Sequence, residues 1–170
     1  MGGGILRCVP LRTVLSGDLS RIIELNDAAA PAVPVTARAE LERLLGLSSL
    51  ALVAVGDDGV VHGFVVALDP GSAYDSENYR FFENRGTPHL YVDRIVVDAT
   101  ARGSGVGRRL YDAVFERARS TGRREVTCEV NLDPANPESL AFHERLGFTK
   151  VAEQSTKGGA IRVALLVAAV

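Results

Sequence analysis

The sequence lacks the features that would place it among membrane, metal-binding or nucleic-acid-binding proteins. Its two cysteines, Cys8 and Cys128, form neither a metal nor a disulfide pattern, and their strand-like surroundings predict buried thiols in a reducing compartment. No apolar run approaches the ~20 residues that span a membrane, and the first residues lack the positive flank of a signal peptide. The net charge is −2, which gives no basic field. We therefore expect a cytoplasmic protein with no metal, membrane or nucleic acid partner.

What is present indicates one folded domain over residues 1–170. Apolar residues make up 46% and charged residues 24%, as in ordinary globular proteins. There are no repeats and no linker, and 170 residues suffice for a sizeable core. The sequence therefore predicts a single domain.

Hydrophobic periodicity and turn residues predict the order β-α-α-β-β-β-α-β-α-β-β. The predicted strands cover residues 5–11, 49–56, 60–68, 90–97, 125–131, 149–156 and 162–167. Helices are predicted at residues 19–29, after a cap at Thr36, from Val106, and from Pro137 to Leu146. This order indicates a mixed α/β (α+β) protein with about seven strands and four helices.

The segment 90–119 combines a buried strand, a glycine-rich turn and an amphipathic helix. The turn reads Arg102-Gly103-Ser104-Gly105-Val106-Gly107. Glycines let the backbone approach a ligand closely, and the first N–H groups of a helix have no partner inside it. With the helix dipole, they form a site for phosphate or pyrophosphate.

Three other interpretations of this turn are weaker. A P-loop needs four residues between its glycines and then Lys-Ser/Thr, whereas Arg108 follows here. A dinucleotide fingerprint needs G-x-G-x-x-G near the start of a βαβ unit. A plain turn without a ligand also stays open. The pattern Arg102-x-x-Gly105-x-Gly107 resembles the pyrophosphate loop of the GCN5-related N-acetyltransferase (GNAT) superfamily.

A second motif strengthens this resemblance. The run from Asn136 through Ser139, Phe142 and His143 to Phe148 is similar to the N-x-x-A-x-x-F-Y-E-K-x-G-F helix of the same superfamily. The resemblance covers nearly the whole chain and implies the acyl-CoA N-acyltransferase fold, with a mixed, mostly antiparallel sheet flanked by helices. Tyr74-Asp75-Ser76 and residues 91–95 also resemble a bacterial subgroup of predicted acetyltransferases.

The resemblance implies direct acetyl transfer from acetyl-CoA, a co-substrate, to an amine, without an acyl-enzyme. The acceptor would be a primary amine of a small molecule or peptide, and a homodimer is allowed. Strand residues 95–97 would pair with pantetheine, and one N–H there would polarise the thioester. Arg145 either reaches the 3′-phosphate or is a solvated surface residue. The implied cofactor-binding residues are Ile95, Val96, Val97, Arg102, Gly103, Ser104, Gly105, Val106, Gly107, Arg108, Asn136, Ser139, Phe142 and Arg145.

An amine nucleophile must lose a proton, so the reaction needs a base that acts directly or through water. In the superfamily such bases often lie at positions that match Tyr91 and Asp93. Strand alternation places both on the face of Ile95 and Val97, unless a bulge intervenes. Asp93 is either the base or half of an internal ion pair, for which an arginine of the segment 70–88 is the expected partner. Glu129 on the neighbouring strand is the second candidate base.

His143 replaces the tyrosine that usually protonates the departing thiolate in the superfamily. A partly protonated imidazole can serve as that acid. A structural role, such as capping the site, is the alternative. Asp93, Glu129 and His143 are thus the candidate catalytic residues.

The segment 70–88, here called the lid, is long for a connection within one domain. It is rich in aromatic residues, which a disordered loop rarely is, and we expect an ordered lid with a short helical turn at residues 77–84. Its aromatic residues either bind the acceptor or cap the core; the candidate acceptor-binding residues are Tyr74, Tyr79, Phe82 and Tyr91. A non-catalytic acyl-CoA-binding module on the same fold is the alternative function.

Overall fold

The structure is a computed structural model that describes residues 9–170. Cys8 and most of the predicted first strand lie outside these residues. The strands are β1 (Leu11–Thr13), β2 (Leu50–Val55), β3 (Val61–Leu68), β4 (His89–Val97), β5 (Glu125–Asp133), β6 (Thr149–Thr156) and β7 (Ile161–Ala169). The helices are α1 (Leu19–Ala28), α2 (Arg38–Leu47), α3 (Glu77–Arg85), α4 (Val106–Ser120) and α5 (Pro137–Arg145). None of these helices is long and apolar enough to cross a membrane.

The seven strands form one sheet in the order β1-β2-β3-β4-β5-β7-β6. All neighbours are antiparallel except β4 and β5, which are parallel because α4 carries the chain back across the sheet. The predicted mixed, mostly antiparallel sheet is confirmed. The predicted number of four helices is wrong, because the lid holds a full nine-residue helix, α3. Ser76 Oγ accepts the Tyr79 N–H at its start, and Gly86 ends it at a φ of 70°.

Helices cover both faces of the sheet, because alternate residues of each strand point to opposite sides. In β3, Val65 and Ala67 face α4 and α5, whereas Phe64 and Val66 face α1, α2 and α3. The first layer is built around Tyr111 and the other apolar residues of α4. The strands therefore lie between two apolar layers, and the site lies where the sheet is interrupted.

The interruption is a gap between β4 and β5. The two strands pair only from His89 opposite Glu125 to Tyr91 opposite Thr127. Beyond that point they diverge, while Ile95 to Val97 stay paired with β3 on the other side. The peptide groups of Ile95 to Val97 that point away from β3 therefore face a cleft and not another strand.

A β-bulge at Asp93 changes the faces of β4. Arg94 pairs with Val66 and Val92 with Ala67, so Asp93 is the extra residue. The bulge reverses the alternation: Tyr91 packs in the layer of α1, α2 and α3, and Ile95 and Val97 pack in the layer of α4. A bulge, the exception to strand alternation named above, therefore separates Tyr91 from the face of Ile95 and Val97.

Candidate active site

The glycine-rich turn forms an open helix N-terminus. Gly103 and Gly105 have φ values of 76° and 87°, which side chains other than glycine rarely adopt. Gly105 is the N-cap residue of α4, and its carbonyl accepts the N–H of Arg109 at 3.0 Å. The N–H groups of residues 106–108 precede the first helical bond, so they are oriented to bind an anion.

This turn borders a cavity of about 730 Å³, here called the cofactor cavity. The predicted cofactor-binding residues on its wall are Ile95, Val96, Val97, Arg102, Gly103, Gly105, Val106, Gly107, Arg108, Asn136, Ser139, Phe142 and Arg145. Ser104 belongs to the turn but not to the wall, and its hydroxyl donates to Ala101 O at 2.5 Å. The structure thus gathers residues from β4, α4 and α5 around one space.

Helix α5 packs tightly against the start of α4. A Cβ atom at Gly107 would lie 3.0 Å from Phe142 Cζ, so any larger residue would require the Phe142 ring to shift by a few tenths of an ångström. Asn136 Oδ1 accepts the Ser139 N–H, and Pro137 follows as the first residue of α5. These local signals fix α5 beside the glycine-rich turn.

A second cavity of about 910 Å³ lies on the other side of the gap; we call it the acceptor cavity. It shares part of its wall with the cofactor cavity, including Ile95, Asn131, Asn136, Ser139 and His143. Most of the rest of its wall comes from the lid, the α1–α2 connection, β4, β5 and the turn between β6 and β7. Two molecules that enter from opposite sides therefore meet between the diverging strands.

Glu129 lies on the wall of the acceptor cavity, and its carboxylate is hydrogen-bonded to Tyr91. Tyr91 Oη donates to both carboxylate oxygens, at 2.8 and 3.0 Å. Burial, and then the nearby Asp93 charge, raises the pKa of Glu129 to about 8, although hydrogen bonds from Tyr91 and Asn78 oppose this shift. A carboxylate with such a pKa is a much stronger base than an exposed one.

Asp93 forms an internal ion pair with its neighbour Arg94, which the bulge brings alongside. Arg94 Nε donates to Asp93 Oδ2 at 2.9 Å, and Tyr74 Oη donates to Asp93 Oδ1 at 2.5 Å. Arg94 Nη1 also donates to Asn26 and Thr36, both at 3.0 Å. The ion-pair interpretation of Asp93 therefore fits the structure, although its partner is not a lid arginine. Because the carboxylate of Asp93 is paired with a cation, whereas Tyr91, the partner of Glu129, is neutral, Asp93 is a poorer candidate base than Glu129.

His143 is buried, and both of its ring nitrogens are engaged. Nδ1 lies 2.7 Å from the Ser139 carbonyl oxygen, which can only accept, so Nδ1 carries the hydrogen. Nε2 lies 2.7 Å from Tyr111 Oη and accepts its hydrogen. Burial lowers the pKa of His143, which keeps the ring neutral. This geometry supports the structural alternative for His143 and not the predicted role of acid.

Three of the four predicted acceptor-binding residues lie in the core. Tyr79 and Phe82 are 2% and 1% exposed, and Tyr79 Oη donates to Asp69 O at 2.7 Å. Neither side chain reaches the acceptor cavity, because α3 turns them towards Tyr91 and the sheet. Tyr91 is also buried and contacts the site only through Glu129. Tyr74 alone of the four lies on the cavity wall.

Sequence reasoning missed the polar residues behind the site. Asn26 falls on the apolar stripe of α1, and a polar residue at such a position signals a buried hydrogen bond. Thr36 was expected to cap α2, but its hydroxyl donates to Pro34 O and accepts from Arg94. Tyr111 carried no distinguishing signal, because its spacing is that of any core residue of α4.

The open N-terminus of α4 suits a pyrophosphate group. The unpaired edge of β4 next to it suits the amides of a pantetheine arm. Together, these two features indicate an acyl-CoA-dependent transferase. The model of the acetyltransferase (GNAT) family matches residues 20–148, so the chain belongs to that family. It is an acetyl-CoA-dependent N-acetyltransferase.

Known proteins resemble the chain over most of its length. It is 30% identical over 152 residues to glucosamine 6-phosphate N-acetyltransferase 1 of Oryza sativa subsp. japonica. The aligned region covers 87% of this chain and 86% of that protein. Ard1 of Thermoplasma volcanium has a TM-score of 0.76 at 20% identity, covering 95% of this chain and 97% of that one. The phosphinothricin acetyltransferase of Sinorhizobium meliloti, solved in complex with AcCoA, has a TM-score of 0.70 at 22% identity. The match covers 95% of this chain and 88% of that one. The two solved structures show the shared fold, and none of these relatives singles out the predicted bacterial subgroup.

Proposed function

We propose that this acetyltransferase transfers an acetyl group directly to a primary amine of a small molecule or peptide. Acetyl-CoA occupies the cofactor cavity and the amine enters through the acceptor cavity. The observation that carries this proposal is the shared wall of the two cavities, with Glu129 on the acceptor side. The proposed unit is the single domain of residues 1–170.

The residues present fit acetyl-CoA. The left-handed glycines at 103 and 105 leave the N–H groups of α4 open to the pyrophosphate. The free edge of Ile95 to Val97 suits the amides of the pantetheine arm, and Asn136 and Ser139 line the same passage. When bound, acetyl-CoA supplies the activated thioester. A backbone N–H of this strand edge stabilises the negative charge that develops on the carbonyl oxygen.

Glu129 takes the proton of the attacking amine. Its pKa of about 8 is much closer to the pKa of a primary amine, about 10.4 for lysine, than that of an exposed carboxyl group is, so the proton transfer is less uphill. Tyr91 holds the carboxylate in place. Cys128 does not compete as a nucleophile, because burial and the nearby Glu129 raise the pKa of its thiol, which stays protonated. These features support direct attack without an acyl-enzyme.

Amine-dependent release of coenzyme A tests the proposal. The enzyme is incubated with acetyl-CoA and a panel of primary amines, and free thiol is measured together with the mass of the amine product. We expect thiol and acetylated amine to form in equal amounts. If acetyl-CoA binds but no amine is acetylated, the alternative of a non-catalytic acyl-CoA-binding module replaces this proposal.

A further inference from the structure

The outer wall of the acceptor cavity is the α1–α2 connection, residues 29–35, here called the strap. All seven of its residues line the cavity as apolar alanine, proline and valine side chains, and Val35 is 67% exposed. These side chains form a contiguous apolar surface at the rim of the acceptor cavity, which is the kind of surface that an apolar group of a ligand covers.

The strap is held in place from both sides of the gap. On the β4 side, Arg94 binds Asn26 and Thr36, the residues near its two ends. Asn26 Nδ2 also donates to Pro34 O at 2.9 Å. On the β5 side, Asn131 Nδ2 donates to Pro31 O at 3.0 Å. The apolar wall is therefore preformed and needs no ordering when a substrate binds.

The remaining wall is acidic. Five carboxylates line the cavity, on Glu40, Asp75, Glu77, Asp93 and Glu129. Three cations line it as well, but Arg94 is paired with Asp93 at 2.9 Å and Arg80 with Asp75 at 2.6 Å, so each of these ion pairs cancels one carboxylate. Among the described residues of this wall, three acidic side chains, Glu40, Glu77 and Glu129, then remain against one cation, Lys157. The cavity therefore attracts ammonium groups and repels phosphate.

We infer that the acceptor is a primary amine that carries an apolar group and no phosphate. The ammonium end lies against Glu129 and the neighbouring carboxylates, and the apolar group lies against Val33, Pro34 and Val35 of the strap. This inference rests on the proposed function and narrows its substrate class. It separates the chain from its relative named for glucosamine 6-phosphate, a phosphorylated amine.

Three amines that share an aminoethyl group test the inference with the full chain: phenylethylamine, ethanolamine and O-phosphoethanolamine. The measurement is kcat/KM for thiol release at saturating acetyl-CoA. Burial of the phenyl ring predicts a value at least ~10-fold above that of ethanolamine. Repulsion by the carboxylates predicts a value for O-phosphoethanolamine about 10-fold below that of ethanolamine.

Two valine variants test whether the strap causes the preference for phenylethylamine over ethanolamine. Val35→Ser should reduce the preference for phenylethylamine over ethanolamine roughly threefold or more, because it removes apolar surface from the strap. Val151→Ser changes an exposed valine of β6 away from both cavities and should leave the preference unchanged. An unchanged preference in Val35→Ser overturns the inference.

The two proposals fail in distinguishable ways. Thiol release that favours O-phosphoethanolamine or glucosamine 6-phosphate overturns this inference alone and leaves the proposed function intact. Release with none of the amines, while acetyl-CoA still binds, overturns the proposed function and this inference with it.

Discussion

Glu129→Gln should reduce turnover by ~10²–10⁴-fold, the range expected when a positioned base is removed. The amide keeps the size of the side chain and can still bond to Tyr91, but it cannot accept the proton of the amine. Acetyl-CoA binding should hardly change, since Glu129 lies on the wall of the acceptor cavity and not on that of the cofactor cavity. Steady-state kinetics and calorimetric titration with acetyl-CoA measure the two effects separately.

Glu125→Gln is the matched control. Glu125 lies on the same strand, but it is paired with Arg85 at 3.2 Å and lines neither cavity. Its loss removes a surface ion pair, which contributes little to stability. Turnover in this variant should stay near that of the wild type, and an equal loss in both variants would argue against a specific role for Glu129.

Gly105→Val should abolish the stabilisation of the protein by acetyl-CoA. The wild type at 100 times the dissociation constant should gain ~2.7 kcal/mol of unfolding free energy. For a domain of this size, that gain raises the melting temperature by about 5–10 °C. A branched side chain at a φ of 87° is strained and covers the N–H groups of the turn, so the variant should show almost no shift.

Gly122→Val separates strain from binding. Gly122 follows the other end of α4 at a φ of 69°, where the same substitution imposes a similar strain of ~1–3 kcal/mol. Both variants should melt at lower temperatures than the wild type, but Gly122→Val should keep the shift caused by acetyl-CoA. A full shift in Gly105→Val would show that the turn does not hold the pyrophosphate.

Local sequence signals predicted the parts of the fold that depend on short-range chemistry. The strand, glycine turn and helix around Gly105, and the Asn136-Pro137 start of α5, follow from backbone preferences that a few residues specify. Together with the resemblance, they also predicted which residues surround the cofactor cavity.

Long-range contacts account for what the sequence could not predict. The bulge at Asp93 depends on the register between β3 and β4, so alternation alone placed Tyr91 on the wrong face. Whether His143 can act as an acid depends on its hydrogen bond with Tyr111, which lies 32 positions away along the chain. Whether the aromatic residues of the lid bind the acceptor or pack in the core depends on the orientation of α3. That orientation is set by its packing against the sheet.

The pH dependence of kcat/KM in the wild type and in Asp93→Asn tests the central claim, that Glu129 is the base, most directly. A base must be deprotonated to act, so the wild-type value should rise with pH through about 8, the pKa of Glu129. Asp93→Asn removes a negative charge that raises this pKa, so the rising limb should move to lower pH. The amine's own ionisation is the same with both proteins, and it cannot produce such a shift. A limb that stays at the same pH in both proteins would contradict the assignment of Glu129 as the base.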